Sequence, residues 1–275
     1  MKIIGVGDNV VDCYLDQRLY YPGGNALNVA VNCKRNGIET AAYLGVFGDD
    51  EAAEHIKRCL SQEGVSYQYS RKVYARSGHP SVNLTPAGDR VFCGGPRDTA
   101  QHILRIRLTQ QDIDYISSFD CCHTSCFSGI EPELPVLARC CDVSFDFSTR
   151  TDKEYIDLVS PHTRFAFFSG ASLTDEQISS IFDLCHSNGT EIVGITLGEK
   201  GALFSCRGER FFQPIKSAGK VIDTMGAGDS FIAGFLTRFY DINDMKAALD
   251  YAADRAAITC TFYGAFGYPH PFDDE

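Results

Sequence analysis

Short apolar runs of strand length alternate with longer stretches of helical periodicity from one end of the chain to the other, and few folds accommodate that order. The runs 2-KIIGVG-7, 40-TAAYLGVF-47, 119-FDCCHTS-125, 142-DVSFDF-147, 164-RFAFFS-169 and 190-TEIVGITL-197 predict strands. Residues 26–36, 50–63 and 174–187 predict helices between several of them. Alternation of this kind implies right-handed βαβ units, hence an α/β fold with a central, mostly parallel sheet and helices on both faces. A chain of 275 residues is long enough for one such domain, so 1–275 is read as a single unit. Two segments break the order. Residues 13–21 alternate weakly between apolar and polar, and 81–93 read as two strands around Pro86-Ala-Gly-Asp89. An α/β sheet needs neither, so both are expected to form a small β lid. A further hairpin, 202-ALFSCRGERFF-212, is expected to extend one edge of the main sheet.

Composition narrows the function classes. The chain is 44% apolar and 22% charged, as a soluble globular protein is. Its formal net charge is −11 and its lysines and arginines are scattered, which argues against a nucleic-acid or anionic-membrane partner. No apolar run reaches the length of a membrane span, and the opening MKIIGVGDNVVD lacks the sections of a secretory signal, so a cytoplasmic location is expected. In that compartment the twelve cysteines should remain thiols. The cluster 121-CCHTSC-126, with Cys140 and Cys141, lacks two well-spaced ligand pairs, and buried thiols explain it better than zinc.

Chemistry concentrates at two places. In 223-DTMGAGDSFIAGF-235 the small residues Gly226, Ala227 and Gly228 stand directly before Asp229, where Phe231, Ile232, Phe235, Leu236 and Phe239 begin an amphipathic helix. A helix cap accounts for Asp229 alone. It does not account for three bare residues, whose exposed N–H groups at a helix start form a nest for an anion. A carboxylate beside such a nest repels what the nest attracts, but it suits a base that removes a proton while the nest holds phosphoryl oxygens. Near the other end, Asp8, Asn9 and Asp12 precede 23-GGNALN-28. A turn and helix start would use these residues too. Asn25 and Asn28, however, are three apart on one helical face, and an Asp with two Asn side chains offers the mixed acceptors and donors that sugar hydroxyls require. GVGDNV lacks the third glycine of a dinucleotide fingerprint, and 214-PIKSAGKV-221 fails as a phosphate loop at both ends.

GGNALN, 196-TLGEKG-201 and DTMGAGD, in this order and spacing, resemble the ribokinase-like (PfkB) carbohydrate kinases along essentially the whole chain. The resemblance implies ATP as phosphoryl donor, with Mg²⁺. It implies Asp229 as the base for the attacking hydroxyl and the Gly226, Ala227 and Gly228 amides as the anion hole. It also implies that Asp12, Gly24, Asn25, Asn28 and Arg90 contact the sugar, that Thr196, Gly198, Glu199 and Gly201 lie along the nucleotide, and that K⁺ or another monovalent cation sits by Asp223 and the main chain of Gly264. Where the family often shows Asn-x-x-Glu, this chain has Ser169-Gly-Ala-Ser172 followed by Asp175 and Glu176, so the magnesium ligands are not carried over. Within the family the GDNVVD start, the short segment from Asp12 to Gly23, 89-DRVF-92 and 145-FDFS-148 resemble the fructoselysine 6-kinase branch. That implies a fructosamine substrate phosphorylated at its sixth carbon. An unsubstituted sugar such as fructose, ribose or 2-keto-3-deoxygluconate is the alternative, and a catalytically silent sugar-binding protein the third reading. Family members often cover the lid with a second subunit, so a homodimer through Tyr20, Tyr21 and Val82 is expected.

Overall fold

The computed structural model describes residues 1–84 and 90–272, without the side chains of 84 and 90–92. The lid tip 86–89 and the side chain of Arg90 therefore lie outside the described residues. The main sheet is built from β1 (Lys2–Gly7), β4 (Thr40–Phe47), β5 (Arg71–Lys72), β8 (Cys121–Ser125), β9 (Asp142–Asp146), β10 (Phe165–Ser169), β11 (Ile192–Thr196), β12 (Ala202–Cys206) and β13 (Glu209–Gln213). Their order is β13-β12-β11-β10-β9-β8-β1-β4-β5. All neighbours pair in parallel except β11–β12 and β12–β13, which form the expected antiparallel edge. The turn between those last two strands places Arg207 and Gly208 at φ 49° and 91°, the positive values a two-residue hairpin requires.

Helices α1 (Asn25–Arg35), α2 (Glu51–Glu63), α8 (Ala227–Ile242) and α9 (Met245–Thr259) cover one face. The other face carries α3 (Ala100–Ile103), α4 (Gln110–Ile116), α5 (Leu134–Cys140), α6 (Lys153–Val159) and α7 (Asp175–Ser187). The pleat sorts one strand between the two layers: Phe165 and Phe167 of β10 pack on Phe235 of α8, while Phe168 stacks on Phe147 on the opposite side at 4.4 Å. Burial on both faces is why these strands read as continuous apolar runs in the sequence. Cys121 and Cys122 lie wholly within this core, and burial pushes both thiols far up from their ordinary pKa. No group of three or more potential metal ligands occurs among the described residues. Nor is any described helix long and apolar enough to cross a membrane.

A second sheet has the order β14-β3-β2-β6-β7, built from β2 (Val10–Tyr14), β3 (Leu19–Gly23), β6 (Ser81–Leu84), β7 (Arg90–Gly94) and β14 (His270–Pro271). The two segments that broke the βαβ order thus hydrogen-bond to one another, and none of their described residues pairs with the main sheet. The short C-terminal strand was not expected, because a proline in a two-residue strand gives no periodic signal. One expectation fails here. Tyr20, Tyr21 and Val82 were to form an exposed apolar face, but they are 6%, 3% and 0% exposed. Tyr20 is covered by His55 of α2 and by His270 and Phe272, and Tyr21 by Tyr14 and Tyr263, so the chain itself covers the surface on which the homodimer rested.

Candidate active site

Strand β1 pairs with β4 on one side and with β8 on the other, so the chain order reverses at β1 and a crevice opens at the carboxyl ends of β1 and β8. Asp8 stands immediately beyond β1 in that crevice. Helix α1 begins there with Gly24 at φ 110°, and a side chain at Gly24 would lie 2.7 Å from the backbone of Asn9. The helix has no cap of its own. Asp8 supplies one from β1, accepting from the Asn25 amide at 2.7 Å and the Ala26 amide at 3.4 Å, while Ser128 and Ser125 donate to the same carboxylate at 2.8 and 3.2 Å. This fixes the first turn of α1, and with it the side chains of Asn25 and Asn28.

Both asparagines reach across to Asp229 in the first turn of α8. Asn25 Nδ2 donates to Asp229 Oδ1 at 2.8 Å, and Asn28 Nδ2 donates to Asp229 Oδ2 at 2.7 Å. Asn25 Nδ2 also donates to Asp146 Oδ2 at 2.8 Å, at the carboxyl end of β9. Its Oδ1 meets His123 Nε2 at 2.9 Å, and His123 Nδ1 meets Ser144 Oγ at 2.8 Å. Burial alone pushes the His123 pKa down to about 3, so its imidazole is neutral. A neutral ring has one donor and one acceptor, and donation from Nε2 to Asn25 Oδ1 leaves Nδ1 to accept from Ser144. The Asn25 amide is thereby held with its NH₂ toward the two carboxylates. Asn28 Oδ1, in contrast, is buried and has no hydrogen-bond partner. It is an acceptor awaiting a donor.

The three small residues before Asp229 stand at the start of α8, and the Ala227 amide, expected among the bare ones, is engaged within the chain. Gly226 has φ 72°, and a Cβ there would lie 2.4 Å from Ala265 Cβ, so glycine is required on two counts. A Cβ at Gly228 would meet nothing within 4 Å, which leaves open space beside Asp229. The Ala227 amide turns back to the Thr224 carbonyl at 3.2 Å. The amides of Gly226 and Gly228 have no protein acceptor among the described residues. Asp223, wholly buried, accepts from Tyr14 Oη at 2.5 Å and from the amides of Met225 and Gly264, each at 2.9 Å. Gly264 therefore presents its N–H to Asp223, and Tyr14 ties β2 of the small sheet to the segment leading into α8.

Asp12, on β2, is 4% exposed, and a side chain at Gly23 would come within 2.3 Å of its Oδ2. The nucleotide candidates form a turn two strands beyond β9, about 10 Å away at ordinary strand spacing. Thr196 closes β11 and donates to Phe168 O at 3.3 Å. Gly198 and Glu199 are exposed, and the Leu197 amide closes the turn on Gly201 O at 2.7 Å. Asp175 and Glu176 occupy the first turn of α7 behind the Thr174 capping box, where they complement the helix dipole. Asp146, His123 and Ser144 were not singled out from the sequence as site residues; single polar residues inside strand-like runs carry no local pattern that marks them.

Residues 3–135 and 152–270 match the model of the pfkB family carbohydrate kinases. The chain belongs to that family and is an ATP-dependent carbohydrate kinase, a phosphotransferase acting on an alcohol group. It is 45% identical over 272 residues to the fructosamine kinase FrlD of Bacillus subtilis, covering 99% of this chain and 95% of that one. It is 32% identical to the fructoselysine 6-kinase of Escherichia coli over 95% of this chain and 98% of the other. Among solved structures, the ribokinase of Giardia lamblia superposes with a TM-score of 0.83 at 18% identity, over 96% and 95% of the two chains, and so shares the fold.

Proposed function

We propose that this kinase phosphorylates the 6-hydroxyl of a fructosamine, a ketohexose carrying an amino-acid amine at its first carbon. The observation that carries the site reading is the carboxylate of Asp229, gripped on both oxygens by asparagine amides beside the unpartnered Asn28 Oδ1 and the open start of α8. A sugar hydroxyl can donate to Asn28 Oδ1, with Asp12 and the Gly24 backbone on the same side of the crevice. The likeness to fructosamine and fructoselysine kinases supports the substrate class.

In this reading Asp229 accepts the proton as the 6-hydroxyl O–H bond breaks. The freed electron pair forms the new O–P bond, and the bond from the γ-phosphorus to its bridging oxygen breaks to release ADP. The amides of Gly226 and Gly228 hold the γ-phosphoryl oxygens as negative charge is redistributed. Magnesium bound with ATP would neutralise the β- and γ-phosphates, which the acidic chain does not do by itself. Thr196, Gly198, Glu199 and Gly201 line the nucleotide. Asp223 acts by stiffening the approach to α8 and, with the main chain around Gly264, is the place for a monovalent cation. The small sheet closes over the sugar and limits loss of the phosphoryl group to water.

The test is a turnover panel of fructoselysine, other fructosamines, fructose, ribose and 2-keto-3-deoxygluconate, with phosphorus and carbon NMR of the product. The expected result is the highest kcat/KM with a fructosamine and phosphate on the sixth carbon. A free sugar turned over as efficiently as every fructosamine would overturn the substrate assignment.

A further inference from the structure

We propose that Asp146 is a positioning residue that keeps Asp229 oriented and basic, acting through the amide of Asn25 that the two carboxylates share. The proposal rests on Asp229 being the base.

The geometry is unusual for a structural carboxylate. Asp146 Oδ1 accepts from the Ser148 amide at 2.7 Å in a turn where Ser148 has φ 53°, which a neutral Asn side chain would do as well. Its Oδ2 is set against Asn25 Nδ2, 2.8 Å away, and the same nitrogen lies 2.8 Å from Asp229 Oδ1. Two like charges are thus held on one amide, and Asn25 cannot rotate to relieve them because His123 and Ser144 lock its oxygen. Holding two carboxylates this close costs stability, and a fold with no use for the second charge gains nothing from it. A base does gain. The pair carries two negative charges before the sugar hydroxyl gives up its proton and one afterwards, so their repulsion is relieved as the proton moves. That relief is realised on the way to the transition state and not in the ground state, which is the condition for accelerating the step.

The groups that face Asp146 reinforce this. Asp229 comes from α8, Asp8 from the end of β1 and the Cys126 thiol from the segment after β8, while His123 acts only through Asn25 and is neutral. Burial first, then the charges of Asp229 and Asp8, push the Asp146 carboxyl up to about 7, against the Ser148 and Asn25 hydrogen bonds that favour its ionised form. Below about pH 7 Asp146 therefore takes a proton, and its hold on the basicity of Asp229 weakens.

The experiment compares wild type, Asp146→Asn and Asp146→Glu, using the sugar from the panel that wild type turns over fastest, so that the fructosamine assignment does not enter. Wild-type kcat should show an ionisation near pH 7. In Asp146→Asn that ionisation should vanish and kcat at pH 8 should fall roughly 3- to 10-fold, the Brønsted effect of about one pKa unit of lost basicity. Sugar and ATP affinities by calorimetry should stay within about two-fold, since no ligand-contacting group has changed. Asp146→Glu should restore the ionisation. An unchanged pH profile and kcat in Asp146→Asn, or a loss of sugar affinity as large as the loss of kcat, would overturn the proposal. If the variant does not fold, infrared titration of the ligand-free wild type decides: a carboxylic-acid band that disappears near pH 7 supports it, and no such band between pH 5 and 8 sinks it. Asp229→Asn is measured in parallel, and near-wild-type turnover there would remove the base assignment itself.

Discussion

Asp229 is held on one oxygen by Asn25 and on the other by Asn28, so the carboxylate has little freedom to turn. The two asparagines differ in what remains to them. Asn25 has both N–H groups and its oxygen engaged within the protein, whereas Asn28 keeps a buried oxygen without a partner. Both read as sugar ligands from their spacing alone; the geometry separates Asn25, fully engaged between the two carboxylates and His123, from Asn28, which keeps an acceptor in hand. Asn28→Ala should therefore raise the sugar KM by roughly 10–100-fold, the consequence of losing the buried acceptor Oδ1 and the amide bond to Asp229 Oδ2. ATP affinity should change little, because Asn28 lies at the start of α1, away from the turn after β11. Calorimetry with each ligand alone checks this, and equal loss of both affinities would point to a disturbed fold instead.

At the scale of elements, α1 is the part that converts fold into site, and its start depends on a residue outside it. Asp8 bonds the Asn25 and Ala26 amides from the end of β1, so the helix is docked to the sheet at the turn that carries both asparagines. Asp8→Asn keeps the shape and removes the charge from a helix N-terminus and from two serine donors. It should cost about 1–3 kcal/mol in urea unfolding and raise the sugar KM together with a fall in kcat. A variant as stable as wild type would show that the cap is dispensable. The elements themselves were largely legible: β1 and β4 have the bounds read from the sequence, and the helices differ from their predicted bounds by about one residue at an end. Strand β11 is shorter than its apolar run at both ends because the Thr190 amide closes the turn after α7 on Cys185 O at 3.0 Å and the Leu197 amide closes the next turn on Gly201 O at 2.7 Å. What periodicity could not show was partnership. The contacts of Asp8 with Ser125 and Ser128, and of Asn25 with His123 and Asp146, span about a hundred residues or more, and no local spacing encodes which strand end will face which helix start.

At the scale of the whole molecule, the buried polar network behind the site ties global stability to pH through two groups of opposite sign. His123 is wholly buried, and its pKa of about 3 lies below the ordinary 6.5 of an unfolded histidine. Between those values the unfolded chain binds more protons than the native one, so this histidine makes stability fall as pH falls below 6.5. Asp146 does the reverse. Its pKa of about 7 exceeds the ordinary 3.8, so the native protein binds the extra proton and stability falls as pH rises through that window. The two contributions oppose each other between 3.8 and 6.5, and wild type should show a flatter dependence than either group would produce alone. Glu63 and Asp112, both held below their ordinary values despite burial, by Arg35 and Arg71 respectively, lose their contribution only at lower pH, which leaves the range from 5 to 6.5 open for the test. His123→Gln keeps a donor for Asn25 and removes the titration. The stability of wild type relative to this variant should therefore decline by about 2 kcal/mol between pH 7.5 and pH 5, from urea unfolding at each pH. A relative stability independent of pH would mean that His123 is not held neutral, and the donor that fixes the Asn25 amide between Asp146 and Asp229 would have to be assigned differently.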